Sequence, residues 1–498
     1  MHAAPADRGR IWRLLHSRWA VLVFALLLGF IGQGSRGLWE SDEGRYTQVA
    51  MQMLRSGDWV TPQRHHHRIH PTKPPLTYWA IAGSVQRFGR NEWAVRAPNA
   101  LAFALTALCL FAIGRRLLPQ LPGLPAAIYA TTALPFFATN LVTTDSLLTA
   151  FTTLGVCGFV AARWPMPHQT RAWPWVVLMW TGFALAFMTK GPPALLPLLA
   201  LLVFDASDPG ARTRQLFDPR GLLVFLLLGC SWYLVVVLRN PGLMNYLVNE
   251  EVIARVASDV HGRYPQWWGA PYVYGLTILL GTLPWWLNPL RTASALPTTP
   301  TRWRALTREG RLLACWVLLP LLVFTLARSR LPLYLLPLFP AFALIVARVW
   351  LTRPERLRLR LVLLPVVALA WLAIKLALAA WPSNKDMRSF AAEIRAQVPF
   401  TPAEVVFIEE SPRYGLGFYL DVQTEWVSLS GDPDQRYDDT LEHELSEGEG
   451  RLLFLMRPQY ADLFTRASND FGYDVIRHGE SHRFVMASVR RHPAGTPR

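Results

Sequence analysis

WAVLVFALLLGFIGQGSRGLWESDEGRYTQVAMQMLRSGDW (residues 19–59) joins an apolar run to a cluster of ionisable groups, and its reading sets the class of the whole chain. The run is close to the about 20 residues that an α-helix needs to cross a bilayer. Directly after it, Glu40, Asp42, Glu43 and Arg45 fall within six residues. An amphipathic pattern, QVAMQMLRSGDW, then continues. Charges placed so close to a span belong either to a topology signal or to a site at the membrane surface.

The rest of the chain repeats the apolar theme. Of its residues 52% are hydrophobic and 17% charged, against roughly 25% charged in a soluble domain, and mean hydropathy is +0.21. Several further runs have spanning length, so the expected fold class is an α-helical polytopic membrane protein. The formal charge of +16 comes almost entirely from arginine in short loops between spans. There it reads as the positive-inside signal, not as a nucleic-acid surface. Cys109, Cys157, Cys230 and Cys315 all lie in apolar runs, which argues against a disulfide framework or a zinc site. The basic MHAAPADRGRIWRLLHSR precedes the first span without a small-residue cleavage site, as in an uncleaved anchor.

Arginine placement then sets the topology. With the N-terminus cytoplasmic, helix one (about 18–35) leads outward and the loop 36–92 is periplasmic. Helix two (94–117) returns to Arg115 and Arg116, helix four (147–162) to Arg163. Helix five runs out to Lys190, and helix seven (220–238) opens a second outer loop, 239–268. RTASALPTTPTRWRALTREGR, with five arginines, and LTRPERLRLR fall inside. About 11 transmembrane helices result, with PLTYWAIAGSVQRFG (75–89) taken as an amphipathic juxtamembrane helix on the outer surface. Residues 1–382 form the membrane domain. From 383 the composition turns to a helix, SNKDMRSFAAEIRAQVP, and short strands at VVFIEE, LLFLM and RFVMASVR. This is a small periplasmic α/β domain, 383–498, read as a cap over the outer loops.

On the outer face this topology collects Asp42, Glu43, Arg45, Lys73, Asp145, Lys190, Arg255 and the ARSRLPLYLLP corner. Group transfer from a lipid phosphate needs cations to hold the phosphate as it leaves. It also needs a carboxylate to take or orient the acceptor's proton. Lys73, Arg45, Arg255 and Lys190 supply the first kind, Asp42 and Asp145 the second. Each has an ordinary alternative. Asp42 and Glu43 suit a helix start, where acids complement the dipole, and Asp145 suits an N-cap. Lys190, Arg328 and Lys375 suit interfacial snorkelling. In the HHHRIH cluster (65–70), His67, together with His261, is a weak candidate for a divalent metal, without a ligand spacing that demands one. A transporter or flippase is the rival class, but its polar groups would sit near the midplane.

Taken in order, SDEGRYTQVAMQMLRSGDWVTPQ, KPPLTYW, TTDSLLTAF, TKGPPALL, NEEVIARVASDVHGRYPQWWGAPYVY with LPWW, and SRLPLYLLPLFPAFAL resemble the GT-C glycosyltransferases of the ArnT and protein O-mannosyltransferase-like group over about 20–350. The resemblance implies the GT-C fold and sugar transfer from a polyprenyl-phosphate donor, undecaprenyl phosphate in bacteria, without an obligatory metal. It implies 4-amino-4-deoxy-L-arabinose as the sugar and lipid A as the acceptor, with another glycan or a protein as the alternative acceptor. A monomer in the inner membrane, with its site periplasmic, is expected. By the same resemblance Asp42 stands at the catalytic acid/base position, with Glu43 and Arg45 beside it, and Asp145 at a second acidic position. Lys73, Arg255 and Tyr334, joined by Lys190, fall where the donor phosphate is held. Two departures are Gly44, where threonine is common, and Thr72, where glutamate is usual.

Overall fold

The computed structural model describes residues 10–65, 68–208, 213–247, 249, 263–266, 268–285, 303, 305–429, 437–447 and 451–492. Its contacts divide the chain into two compact units. One holds Met1–Gln33, Pro71–Ala80 and Arg96–Leu378; the other holds Gly34–His70, Ile81–Val95 and Ala379–Arg498. The second therefore combines first-loop segments with the C-terminal region, whereas the expected division has a single boundary at 382/383.

The first unit is helical. Among the described residues six helices are long and apolar enough to span a bilayer, or seven if Arg10–His16 and Arg18–Phe30, bent by 96°, count as one. The expectation is eleven; several of the other apolar runs are broken, so they fall short of the length of one straight crossing. Leu124–Ala130 and Ala133–Ala138 are separated at Thr131 and Thr132, whose hydroxyls donate back to the carbonyls of Ala127 and Ile128 in competition with the helical ladder. Leu196–Ser207 follows a 3₁₀ turn at Pro192–Leu195. The helices Pro219–Arg239 and Pro354–Ala380 keep only 22% of their apolar stretch buried and expose Leu227, Leu234, Leu359 and Leu369. Such continuous apolar surface is unfavourable in water and fits lipid contact, so the chain is a multi-pass membrane protein.

In the second unit the helix Asp42–Ser56 and a small hairpin of β1 (Gln63–His65) and β2 (Arg68–Ile69) join a six-stranded sheet. Its strands are β3 (Glu404–Ile408), β4 (Gln423–Ser428), β5 (Asp439–Thr440), β6 (Leu452–Met456), β7 (Tyr473–Ser481) and β8 (Phe484–Arg491). They run in the order β5-β4-β3-β6-β8-β7, parallel from β5 to β6 and antiparallel beyond. The strand period of two explains why β3 is apolar from Val405 to Ile408. Val405 and Phe407 pack on one face with Phe390 and Ile394, while Val406 and Ile408 pack on the other with Phe454 and Phe464. Helices cover both faces, as buried parallel strands require.

The first loop is bound into this domain through its backbone. Trp39 bridges Asp386, the Glu40 N–H donates to the Lys385 carbonyl and the Met387 N–H to that of Leu38. Asp421 accepts from Arg55 at 2.7 Å and Arg90 at 2.5 Å, and these two guanidiniums hold its carboxyl below the usual range.

Candidate functional site

In the first unit the helices Asp145–Arg163 and Trp173–Lys190 pack with their backbones touching. A Cβ built on Gly182 would lie 2.4 Å from the Gly155 nitrogen, so only small residues permit this approach, the usual device of helix pairs in lipid. The two helices are joined by the loop 164–172 and run antiparallel, which puts the first residue of one and the last of the other at the same end. Gly191, at φ +74° and ψ −145°, adopts a backbone that glycine alone takes readily, and with Pro192 it stops the second helix at Lys190. The Lys190 ammonium pairs with the Asp145 carboxylate and lies 4.5 Å from the centre of the Tyr334 ring. Thus three residues from distant parts of the sequence meet.

This geometry decides between the readings of both ionic groups. Thr144, not Asp145, is the helix N-cap, and it makes no side-chain cap bond; the Asp145 carboxylate serves the lysine instead. Nor does Lys190 snorkel, because its side chain is only 10% exposed. Lys375 departs from the snorkelling expectation too. It is 4% exposed and its ammonium sits 5.6 Å over the Phe136 ring, facing the bundle.

In the second unit Asp42 opens the helix Asp42–Ser56. Its carboxylate is half exposed and accepts from Arg45 at 2.5 Å, one turn on. Glu43 is committed elsewhere: it takes a bond from Arg36 at 2.5 Å and another from the Trp39 N–H at 2.8 Å, both inside the fold. Asp42 is therefore the acid of the pair that stays open, and Glu43 fastens the turn that carries it.

Glu40 has nothing in its local sequence to single it out. Its carboxylate accepts from the Gly415 N–H, and its second oxygen is buried with no hydrogen-bond partner among the described residues. Gly44 must be small here, since a Cβ would lie 2.5 Å from the Gly415 nitrogen; that accounts for the missing threonine. Burial raises the Glu40 carboxyl to about 8, against the lowering pull of the Gly415 bond, Arg413 and Arg45, while Glu43 adds to the rise. A raised carboxyl contributes stability that is complete below its unfolded value of 4.5 and is lost as pH climbs through about 8. Thermal unfolding of the purified chain is expected to show stability falling over that window by an amount on the order of a few kcal/mol. Glu40→Gln, which cannot ionise, should flatten the profile; parallel profiles for the two proteins would refute a neutral Glu40.

Other expected residues are placed less decisively. Lys73 donates to the Thr72 carbonyl at 2.6 Å. Arg255, His67 and His261 lie outside the described residues, and among the described residues no three metal-type ligands gather. The 328–334 corner holds a residue that its charge alone does not distinguish. Arg330, buried, donates to the carbonyls of Tyr264, Gln266 and Thr325 and fixes the segment at 263–266. Its neighbour Arg328 looks equivalent in the sequence, and only burial separates the two.

Comparison with known proteins bears on the fold. Residues 72–238 match the family model described as dolichyl-phosphate-mannose-protein mannosyltransferase. The crystal structure of ArnT from Cupriavidus metallidurans bound to undecaprenyl phosphate superposes with a TM-score of 0.74, covering 94% of this chain and 97% of that one at 22% identity. The chain has the fold of ArnT, the GT-C fold. Two curated relatives of this GT-C protein are the undecaprenyl phosphate-α-4-amino-4-deoxy-L-arabinose arabinosyl transferases of Edwardsiella ictaluri, 30% identical over 66% of the chain, and Pectobacterium carotovorum, 31% identical over 66%. The chain spans 58% of the length of each. The expected GT-C fold, with its small C-terminal sheet domain, is thereby met.

Proposed function

We propose that this protein transfers a sugar from a polyprenyl phosphate, undecaprenyl phosphate in bacteria, to an acceptor at the outer face of the inner membrane. The sugar in this reading is 4-amino-4-deoxy-L-arabinose and the acceptor lipid A. The bond from the anomeric carbon to the donor phosphate oxygen breaks, and polyprenyl phosphate leaves with the electron pair. The acceptor oxygen forms the new bond to that carbon. Lys190, held by Asp145 and Tyr334, is the cation for the leaving phosphate, with Lys73 and Arg255 as further partners. Asp42, steadied by Arg45, orients the acceptor or takes its proton.

The observation that carries this reading is the Asp145–Lys190–Tyr334 cluster, in a chain whose 30–31% identical relatives bear the arabinosyl transferase name. In this scheme the N-terminus is cytoplasmic, the protein works as a monomer, and its own cations serve the phosphate without an obligatory metal. Mass spectrometry of lipid A from cells with and without the protein tests it. Loss of a 4-amino-4-deoxy-L-arabinose modification on deletion is expected, as is turnover that persists in chelator. Unchanged lipid A beside an altered glycoprotein would overturn the lipid A assignment in favour of a protein acceptor, the reading that the matched mannosyltransferase family suggests.

A further inference from the structure

At the opposite end of the Asp145–Arg163 helix, about 28 Å away for 19 residues, the first unit holds a pocket of about 370 Å³. Arg115, Arg116, Arg163 and Arg308 line it, together with Trp164 and Met166. The first three close their helices, where cations complement the dipole. That role and the positive-inside signal account for arginines at these positions. They do not account for arginines turned into one cavity.

The ion pairs leave a surplus. Arg163 is satisfied by Asp205 in a bidentate pair at 2.6 and 2.8 Å. Asp208 is shared between Arg308 at 2.8 Å and Arg311 at 3.2 Å. Among the described residues Arg115 reaches the Met166 sulfur, and Arg116 the Gln169 amide oxygen, the Ala112 carbonyl and the Trp175 ring at 5.1 Å. Of the four lining guanidiniums, those of Arg163 and Arg308 thus have a carboxylate partner and those of Arg115 and Arg116 have none among the described residues, beside a wall that includes Trp164, itself 4.3 Å beneath Arg308.

We propose that this pocket binds the phosphate of an anionic phospholipid headgroup. Phosphate oxygens match guanidinium forks bidentately. Basic pockets between transmembrane helices take anionic headgroups in this way, and an interfacial tryptophan with Met166 offers an apolar wall to the glycerol end. Binding here is independent of the transfer reaction.

The test uses the full chain purified in detergent and native mass spectrometry, with phosphatidylglycerol, phosphatidylcholine and inorganic phosphate as probes. Wild type is expected to retain phosphatidylglycerol over phosphatidylcholine, and millimolar inorganic phosphate should not displace it. Arg115→Gln/Arg116→Gln should weaken retention about tenfold, the loss of roughly one charge-assisted bond. Arg115→Gln alone, at an exposed position whose packing demands little, should show a smaller loss in the same direction. Arg356→Gln, an exposed arginine outside the pocket, should leave retention unchanged. Equal retention of the two lipids, or a double variant that matches wild type, would overturn the proposal. So would inorganic phosphate that displaces the lipid, since the pocket would then be a free-anion site.

Discussion

Asp42→Asn is expected to lower sugar transfer about 10²- to 10⁴-fold, the usual worth of a positioned acid–base group, while folding and membrane insertion stay normal. The structural half of that expectation rests on exposure. The Asp42 side chain is 50% exposed and its ion partner is Arg45, 29% exposed, and such surface pairs contribute about 0–1 kcal/mol. Glu43, Arg36 and the backbone bonds at Leu38 and Glu40 hold the turn without it. The measurement is turnover of a polyprenyl-phosphate-linked sugar by the purified variant in lipid. Wild-type turnover by a correctly inserted Asp42→Asn protein would remove Asp42 from the mechanism. A hydroxyl acceptor should suffer more than a phosphate acceptor, whose oxygen is already ionised and needs only orientation.

Lys190→Gln should be costly twice over. The Asp145 and Lys190 side chains are 8% and 10% exposed, and removing one partner strands the other as a buried charge, which costs about 3–5 kcal/mol. The variant should therefore unfold at a clearly lower temperature and also lose transfer. Asp145→Asn/Lys190→Gln separates the two effects. With neither charge left, most of the stability should return, whereas transfer should not, because the cation for the leaving phosphate is still missing. A double variant with wild-type transfer would show the pair to be purely structural.

Much of this arrangement is legible in the order of residues. The apolar runs, their arginine-rich ends and the sequence of motifs point to a helical membrane protein of the GT-C kind. The helices Glu92–Leu117, Asp145–Arg163 and Pro219–Arg239 start and stop within about two residues of their expected limits, as helix ends usually do. Strands β3, β6 and β8 fall on the three runs that read as strands. The site is legible as a set of residue types, yet not as a set of partnerships. Asp145 reads equally well as a helix cap or as an acid in a site, because the choice depends on a lysine 45 positions later. Asp42 and Glu43 are adjacent and look equivalent, and Arg36 and the Trp39 N–H, folded back onto Glu43, make them different.

What the sequence determined by itself is what short-range physics controls: hydrophobic length against bilayer thickness, charge bias at helix ends, glycine and proline where a helix stops. What tertiary structure alone decided is which ionisable groups are spent on one another. Glu40 meets the Gly415 N–H across 375 positions, and no local pattern announces it. The physical reason is that burial and pairing fix the state of an ionisable group, and both come from neighbours that the fold, not the order of residues, brings near.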